Sequence, residues 1–434
     1  MPYGRSLIPQ SQKYYGLGVT ARVSTHGSAS LVRPGYEHIF ERLVDDAGFL
    51  WLLRERALRQ STYNREEQQA LDNRLETVLQ ALETGPDIAW SSAFEAAQMG
   101  AAGEMFVATY LAFTSVAADK IEALSKLAQA GEEHLRGLVS ALGWLPAESI
   151  RPWVWSWLHS GEPSLEHLAL CACSVRREDP REHLTALLRN KKSLAYAPLH
   201  ARALRLIGEI KRFDLLPHLQ TARQVKNPEI QFWSVWSGVL LGDAQARSAL
   251  LPLVMQPGPW QNAAAELAFR ALPIELGRDW ISQMAQKSHL HEQVIKATAI
   301  LGDAQALPWL VQQMREPSVA QVAGEAFTWV TGINLIAAGL VIQTQSAETF
   351  DDAEERDLPA PDTTAVERLL PQVIQRMPCG PRYFLGRTAN AQHMQDVYAS
   401  GNQQQRSVAA LELALMRREQ ILLNTAKKEL PSAV

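Results

Sequence analysis

Apolar and polar positions along this chain recur with a helical period almost from end to end. From Tyr36 onward, Ile39, Phe40, Leu43, Ala47, Leu50, Trp51, Arg54 and Leu58 return at steps of three and four, the spacing that gathers side chains on one helix face. Leu71, Leu75, Val78, Leu79 and Leu82 predict a second helix over about 66–82. Strand signals are few, because apolar-polar alternation never persists for five residues with β-branched enrichment, so little or no sheet is expected. Residues 1–35 are rich in Gly, Ser, Thr and Tyr, lack helical periodicity and end at Pro34-Gly35; they read as an extended arm.

The middle of the chain repeats. Leu206-Ile207-Gly208-Glu209, Leu240-Leu241-Gly242-Asp243 and Ile300-Leu301-Gly302-Asp303 share the form apolar-apolar-Gly-acid, and the last two continue identically as Gly-Asp-Ala-Gln-Ala. The glycines lie 34 (242 minus 208) and 60 (302 minus 242) residues apart, and 60 is two steps of 30. The copy between them falls near Ala271-Leu272-Pro273, a helix stop of another kind, and a further step reaches Val330-Thr331-Gly332. Glycine after an apolar helix end supplies a left-handed C-cap, and the adjoining acid can cap the next helix. Ala306-Leu307-Pro308-Trp309 then opens that helix with Pro in its first turn. A helix pair of this size cannot bury its apolar face alone, so neighbours must stack. The reading is all-α: a HEAT-like helical-repeat solenoid with a period of about 30–34 residues and helical caps at both ends. Its parts are an N-terminal cap over 36–90, a solenoid over 91–342, an acidic, Pro-marked loop over 343–363 and a C-terminal helical unit over 364–434. The last unit carries helices over 364–377 and 407–425 around a turn-rich stretch, Gly380 to Gly386.

Composition narrows the function classes. A net charge of −4 over 434 residues provides no basic field for nucleic acid, and the scattered Lys and Arg announce no local basic groove. Three cysteines, Cys171, Cys173 and Cys379, suit neither a disulfide framework nor a four-ligand zinc site, so a reducing cytoplasmic setting is expected. The start of the chain has no apolar segment of the signal-peptide kind. The longest apolar run, Leu335 to Ile342, is far too short for a bilayer, and no membrane insertion is expected.

The His-bearing pairs are the candidates for chemistry. Metalloenzymes built on such repeats use recurring His-Glu dipeptides, whereas this chain has one, His291-Glu292. The reversed pairs Glu133-His134, Glu166-His167 and Glu182-His183 read as helix starts with a buried Leu and a solvated acid and imidazole. His289-Leu290-His291 reads as a loop, and Gly16-Leu17-Gly18-Val19-Thr20-Ala21 matches the dinucleotide fingerprint by letter without its βαβ context. No catalytic residue, metal or cofactor is expected.

Several motifs carry a resemblance. His38, Phe49-Leu50-Trp51-Leu52-Leu53-Arg54 and Leu71-Asp72-Asn73-Arg74-Leu75-Glu76 are similar to the opening of an uncharacterised proteobacterial HEAT-repeat family encoded beside type VI secretion genes. The likeness continues through Ala326-Phe327-Thr328-Trp329-Val330-Thr331-Gly332, Leu358-Pro359-Ala360-Pro361-Asp362, Arg382-Tyr383-Phe384-Leu385-Gly386, and Arg406 with Ala409-Ala410-Leu411-Glu412-Leu413-Ala414. It spans about residues 36–425. Where that family carries a tryptophan pair after the Pro-Asp motif, this chain has Leu369-Leu370, so no partner contact carries over from that pair. The resemblance implies a setting among spike, tip and effector-chaperone proteins and supplies no activity.

The expected function is therefore a non-catalytic protein-binding scaffold, an adaptor for a type VI secretion effector, chaperone or spike-tip component. The alternatives are an immunity protein whose acidic stretch Asp351 to Asp357 shields a toxin's basic cleft, and a metalloenzyme. Candidate partner-binding residues are Trp51, Arg54, Arg74, Trp233, Trp236, Arg382, Tyr383, Arg406 and Glu412. The plainer alternative makes the tryptophans inter-repeat core, Trp153, Trp155 and Trp157 included, and the charged residues an internal ion-pair network fastening the terminal helices.

Overall fold

The computed structural model describes residues 35–60, 63–342 and 360–428. The arm before Gly35, the acidic run Asp351 to Asp357 and the Gly16 to Ala21 match lie outside the described residues. Within them the chain is all-α, built of successive helices with one two-stranded hairpin, Tyr383–Phe384 against Arg387–Thr388. It divides into two units, one of residues 1–58, 66–160 and 427–434, the other of residues 59–65 and 161–426.

In the first unit the helix Ala102–Thr114 is the centre. Met105 through Phe113 are all buried, because this segment is apolar on every side, as a fully surrounded helix must be. The helices Glu37–Ala57, Pro86–Gln98 and Glu132–Trp144 pack against it. Arg65–Leu82 follows the apolar periodicity of its sequence closely, and Glu37–Ala57 does so from Ala47 onward, whereas Ile39 near its start is exposed.

One polar group sits awkwardly at this centre. Glu104 Oε2 is buried without a hydrogen-bond partner. Burial pushes the Glu104 carboxyl above its ordinary value, a backbone hydrogen bond pulls it back in part, and Asp45 adds to the rise. A carboxyl raised in the folded state favours folding at low pH, and that advantage is lost as pH rises through its folded value. Glu104→Gln, which keeps the shape and removes the charge, is thus expected to raise the urea midpoint near pH 8 and to change it little near pH 4. Equal midpoints for the two proteins at the higher pH would contradict this account of Glu104.

The second unit carries the repeat. Six longer helices, Pro163–Arg176, Ala197–Glu209, Pro228–Leu240, Gln261–Ala271, His291–Leu301 and Ala320–Thr331, each pack against the next. Their starts differ by 34 (197 minus 163), 31 (228 minus 197), 33 (261 minus 228), 30 (291 minus 261) and 29 (320 minus 291) residues. Other helices, such as the short Leu216–Ala222 and Leu307–Gln313 and the longer Ile274–Ala285, fill the intervals. The punctuation works as its chemistry dictates: Gly302 and Gly332 are left-handed C-caps at φ 69 and 72°, and Asp243 and Asp303 accept the first free amides of the following helices. Pro308 lies in the first turn of its helix, and at Leu272 the helix stops in an extended residue before Pro273.

Some expectations fail for identifiable reasons. Gly208 caps nothing: it lies inside the helix Ala197–Glu209, where its missing Cβ leaves room for Ser237, and the left-handed residue is Lys211 at φ 61°. The predicted helix over 407–425 is Gln403–Met416, and the described residues beyond it, 417–428, are not helical. Lys211 Nζ donates to Ala414 O at 2.7 Å, taking a carbonyl that a continued helix would need. A further helix, Ala391–Ser400, starts on an Asn390 cap that the sequence reading missed. Two of the three acid-imidazole pairs depart from the solvated reading, since His134, Glu166 and His167 are buried, whereas Glu182 is exposed, His183 half-buried and Leu184 buried. His134 Nε2 bonds Ala97 O at 3.0 Å and Glu166 accepts from Ser193 Oγ at 2.9 Å.

Candidate functional site

The residues singled out by sequence divide between the two units, and most of them face inward. In the first unit Trp51 is fully buried, stacked on Phe106 with centroids 5.8 Å apart, its indole N–H donating to Ser140 Oγ at 2.9 Å. Arg54 donates to Asp72 Oδ1 at 2.6 Å and lies over the Trp144 ring at 5.2 Å, so this motif ties the helices Glu37–Ala57 and Arg65–Leu82 together. Arg74 alone of the nine is exposed.

In the second unit Trp233 and Trp236 are buried in an aromatic cluster with Phe232 and Trp260, and the Arg205 guanidinium lies 4.3 Å over the Trp233 ring. Arg406 is buried and donates to Tyr398 O and Gln403 Oε1 at 3.1 and 3.3 Å. Tyr383 is buried with its hydroxyl donating to Pro378 O at 2.9 Å. Glu412, 2% exposed, accepts from Arg382 at 2.7 Å and from Arg270 at 3.2 Å.

These last contacts belong to a larger arrangement. The final carbonyls of a helix have no partner within it and need one from elsewhere. Here the partners come from the end of the same chain. Arg382 donates to Arg270 O at 2.7 Å and to Leu301 O at 3.1 Å, and the Tyr383 amide to Gly302 O at 2.8 Å. The Leu385 and Gly386 amides donate to Trp329 O and Val330 O at 2.8 and 2.9 Å. Farther along, the Leu422 amide reaches Glu209 O at 2.9 Å and the Asn424 side chain reaches Val175 O at 2.7 Å. At the remaining helix end, Lys211 joins Leu240 O at 2.5 Å to Ala414 O. From Val175 to Glu209, Leu240, Arg270, Leu301 and Val330 the accepting carbonyls follow the repeat, 34 (209 minus 175) to 29 (330 minus 301) residues apart. Arg382-Tyr383-Phe384-Leu385-Gly386 is thus a pin set into successive helix ends.

A polar centre that the sequence reading took for a helix cap lies under the last of these contacts. Glu209 is fully buried; its carboxylate accepts from Arg205 Nε at 2.9 Å and Ser174 Oγ at 2.5 Å and pairs with Arg177 at 3.4 Å. Arg205 precedes it by one helical turn and Arg202 by two, and charges so spaced on a helix of largely apolar buried positions were the signal available. The neighbouring Cys171 Sγ lies 3.5 Å from His167 Nε2. Among the described residues no group of three or more His, Cys, Asp or Glu stands close enough to hold a metal ion. No described helix is long and apolar enough to cross a membrane.

Several large apolar side chains stay exposed. Phe49 and Leu52, three residues apart on the helix Glu37–Ala57, are 62% and 44% exposed, and Trp155 on Ala147–Leu158 is 60% exposed. The first unit also exposes Met99 and Val116. The fold and these surfaces define an all-α helical-repeat protein. Compared with known proteins, the chain matches no family model, no curated protein and no solved structure.

Proposed function

We propose that this chain is a protein-binding scaffold whose partner docks on the exposed side of Glu37–Ala57, with Phe49 and Leu52 as apolar anchors. The carrying observation is that pair: two large apolar side chains kept in solvent one turn apart, on a helix whose opposite face is buried. A few residues that become buried at the centre of an interface carry most of its binding energy. The resemblance of the sequence motifs supports a type VI secretion effector or spike-tip component as that partner. Those motifs themselves act as internal fastenings, which supports a docking surface elsewhere than on their polar residues.

The test is affinity purification of the whole chain from cells with an active type VI system, beside a Phe49→Asp, Leu52→Asp variant. Both substitutions are at exposed positions, so melting temperatures should agree closely. Recovery of a secretion component is expected with the natural sequence and is expected to fall by about thirtyfold with the variant, equivalent to about 2 kcal/mol for lost anchors. A secretion component recovered equally by both proteins would move the interface off this helix. No secretion component with either would remove the partner assignment.

A further inference from the structure

The exposed side of Glu37–Ala57 is patterned as a surface for pairing with another helix. Arg42, Asp45, Phe49, Leu52 and Arg56 follow one another at steps of three, four, three and four, and all five are exposed. That spacing lays them in one stripe along the helix, the stripe on which two helices seat side by side. The opposite side, with Leu50, Trp51 and Arg54, already holds the helix to the first unit. The order along the stripe is acid, two large apolar side chains, base. Among the described residues neither Asp45 nor Arg56 has an ion-pair partner.

We propose that a second copy of this chain docks on Glu37–Ala57, antiparallel and two-fold symmetric, with Phe49 of one protomer against Leu52 of its partner and Asp45 against the partner's Arg56. A two-fold axis requires that where residue i meets residue j, j also meets i, so every contacting pair must share one midpoint. The pairs 49 with 52 and 45 with 56 both have their midpoint between Leu50 and Trp51, so a single register satisfies the apolar and the charged contacts together. A parallel pair would instead set Asp45 on Asp45 and Arg56 on Arg56. The apolar centre supplies the attraction, and the opposite charges at its two ends fix direction and register. The contact is short, because Arg42 would fall past the last residue of the partner's helix. A weak dimer follows, which a tighter-binding protein would displace. This inference uses the same exposed side as the docking proposed above and is independent of which protein docks there.

The experiment is sedimentation equilibrium of the whole purified chain at low salt, where exposed charges are least screened. The mass is expected to rise from 48.2 kDa toward twice that value with concentration, with a dissociation constant on the order of 10 μM. Asp45→Arg and Arg56→Asp, each checked for folding by circular dichroism, place like charges opposite one another twice per dimer and should each weaken association by at least about tenfold. The two variants mixed in equal amounts are then expected to dimerise again, because one carries base at both positions and the other acid at both. A single 48.2 kDa species of the natural chain at every concentration overturns the proposal and leaves this helix to another protein. Dimers that neither substitution weakens overturn it by placing the contact elsewhere, and a mixture that stays monomeric overturns the antiparallel register. No secretion component is present in these measurements, so their failure is distinct from a failure to co-purify one. The natural chain decides whether a dimer exists even where a variant fails to fold.

Discussion

Glu209→Ala is expected to lower the stability of the second unit by about 3–5 kcal/mol, a large part of what a domain of this kind has. The carboxylate is wholly buried and accepts from Arg205 and Ser174 while pairing with Arg177. Without it those guanidiniums stay where they are, desolvated and facing one another, and that uncompensated charge is the main cost. Glu209→Gln separates charge from shape, since the amide fills the space but cannot neutralise the arginines. The acid response follows from the same contacts. Burial pushes the Glu209 carboxyl up, yet Arg177, Arg205, Arg202 and the Ser174 hydroxyl together hold it below its ordinary value. A carboxyl lowered in the folded state contributes its full stability above its unfolded value and loses it as pH falls through the folded one. Urea midpoints of the natural protein should therefore decline as the pH drops below the ordinary glutamate range, and those of Glu209→Gln should lack this component. A variant as stable as the natural protein at neutral pH would remove Glu209 from the centre of the unit.

Gly302→Ala is the second large effect. At φ 69° any side chain is strained, and here the added Cβ would lie 2.1 Å from Tyr383 O. That atom is backbone, in the strand that brings Arg382 onto the helix ends, so neither side can yield without withdrawing the pin. Gly339 provides the control: its φ is 67°, and nothing lies within 4 Å of its Cβ position. Gly339→Ala should cost about 1 kcal/mol, the conformational part alone, and Gly302→Ala at least about 3 kcal/mol. Thermal and urea unfolding of the two variants measure the difference. Equal losses at both positions would show that the hairpin is not seated against Gly302.

The repeat itself was legible because each of its signals is local. Gly302, Gly332, Asp243 and Asp303 act within a few residues of themselves, and a helix boundary set by local capping can be read from a window. The chain's end was not legible for the opposite reason. Arg382 reaches Leu301, 81 residues away, and Asn424 reaches Val175, 249 residues away. Residues 417–428 have ample helix formers, yet contacts with Glu209, Arg177 and Val175 hold them in a non-helical path. Arg382, Glu412 and Arg54 have the residue types of a recognition surface, and only the burial of their partners identifies them as fastenings. Phe49 and Leu52 lie in the same apolar-rich segment as buried Leu50 and Trp51, so sequence alone did not separate the inward residues from the outward ones.

The account turns on the end of the chain being an integral part of the repeat, and amide hydrogen exchange on the intact protein tests this directly. The amides of Tyr383, Leu385, Gly386 and Leu422, which donate to Gly302, Trp329, Val330 and Glu209, should exchange as slowly as those in the middle of Ala197–Glu209 and His291–Leu301. Exchange at these four amides as fast as in an unstructured peptide would contradict the account and return Arg382, Tyr383 and Glu412 to the surface as candidates for binding a partner.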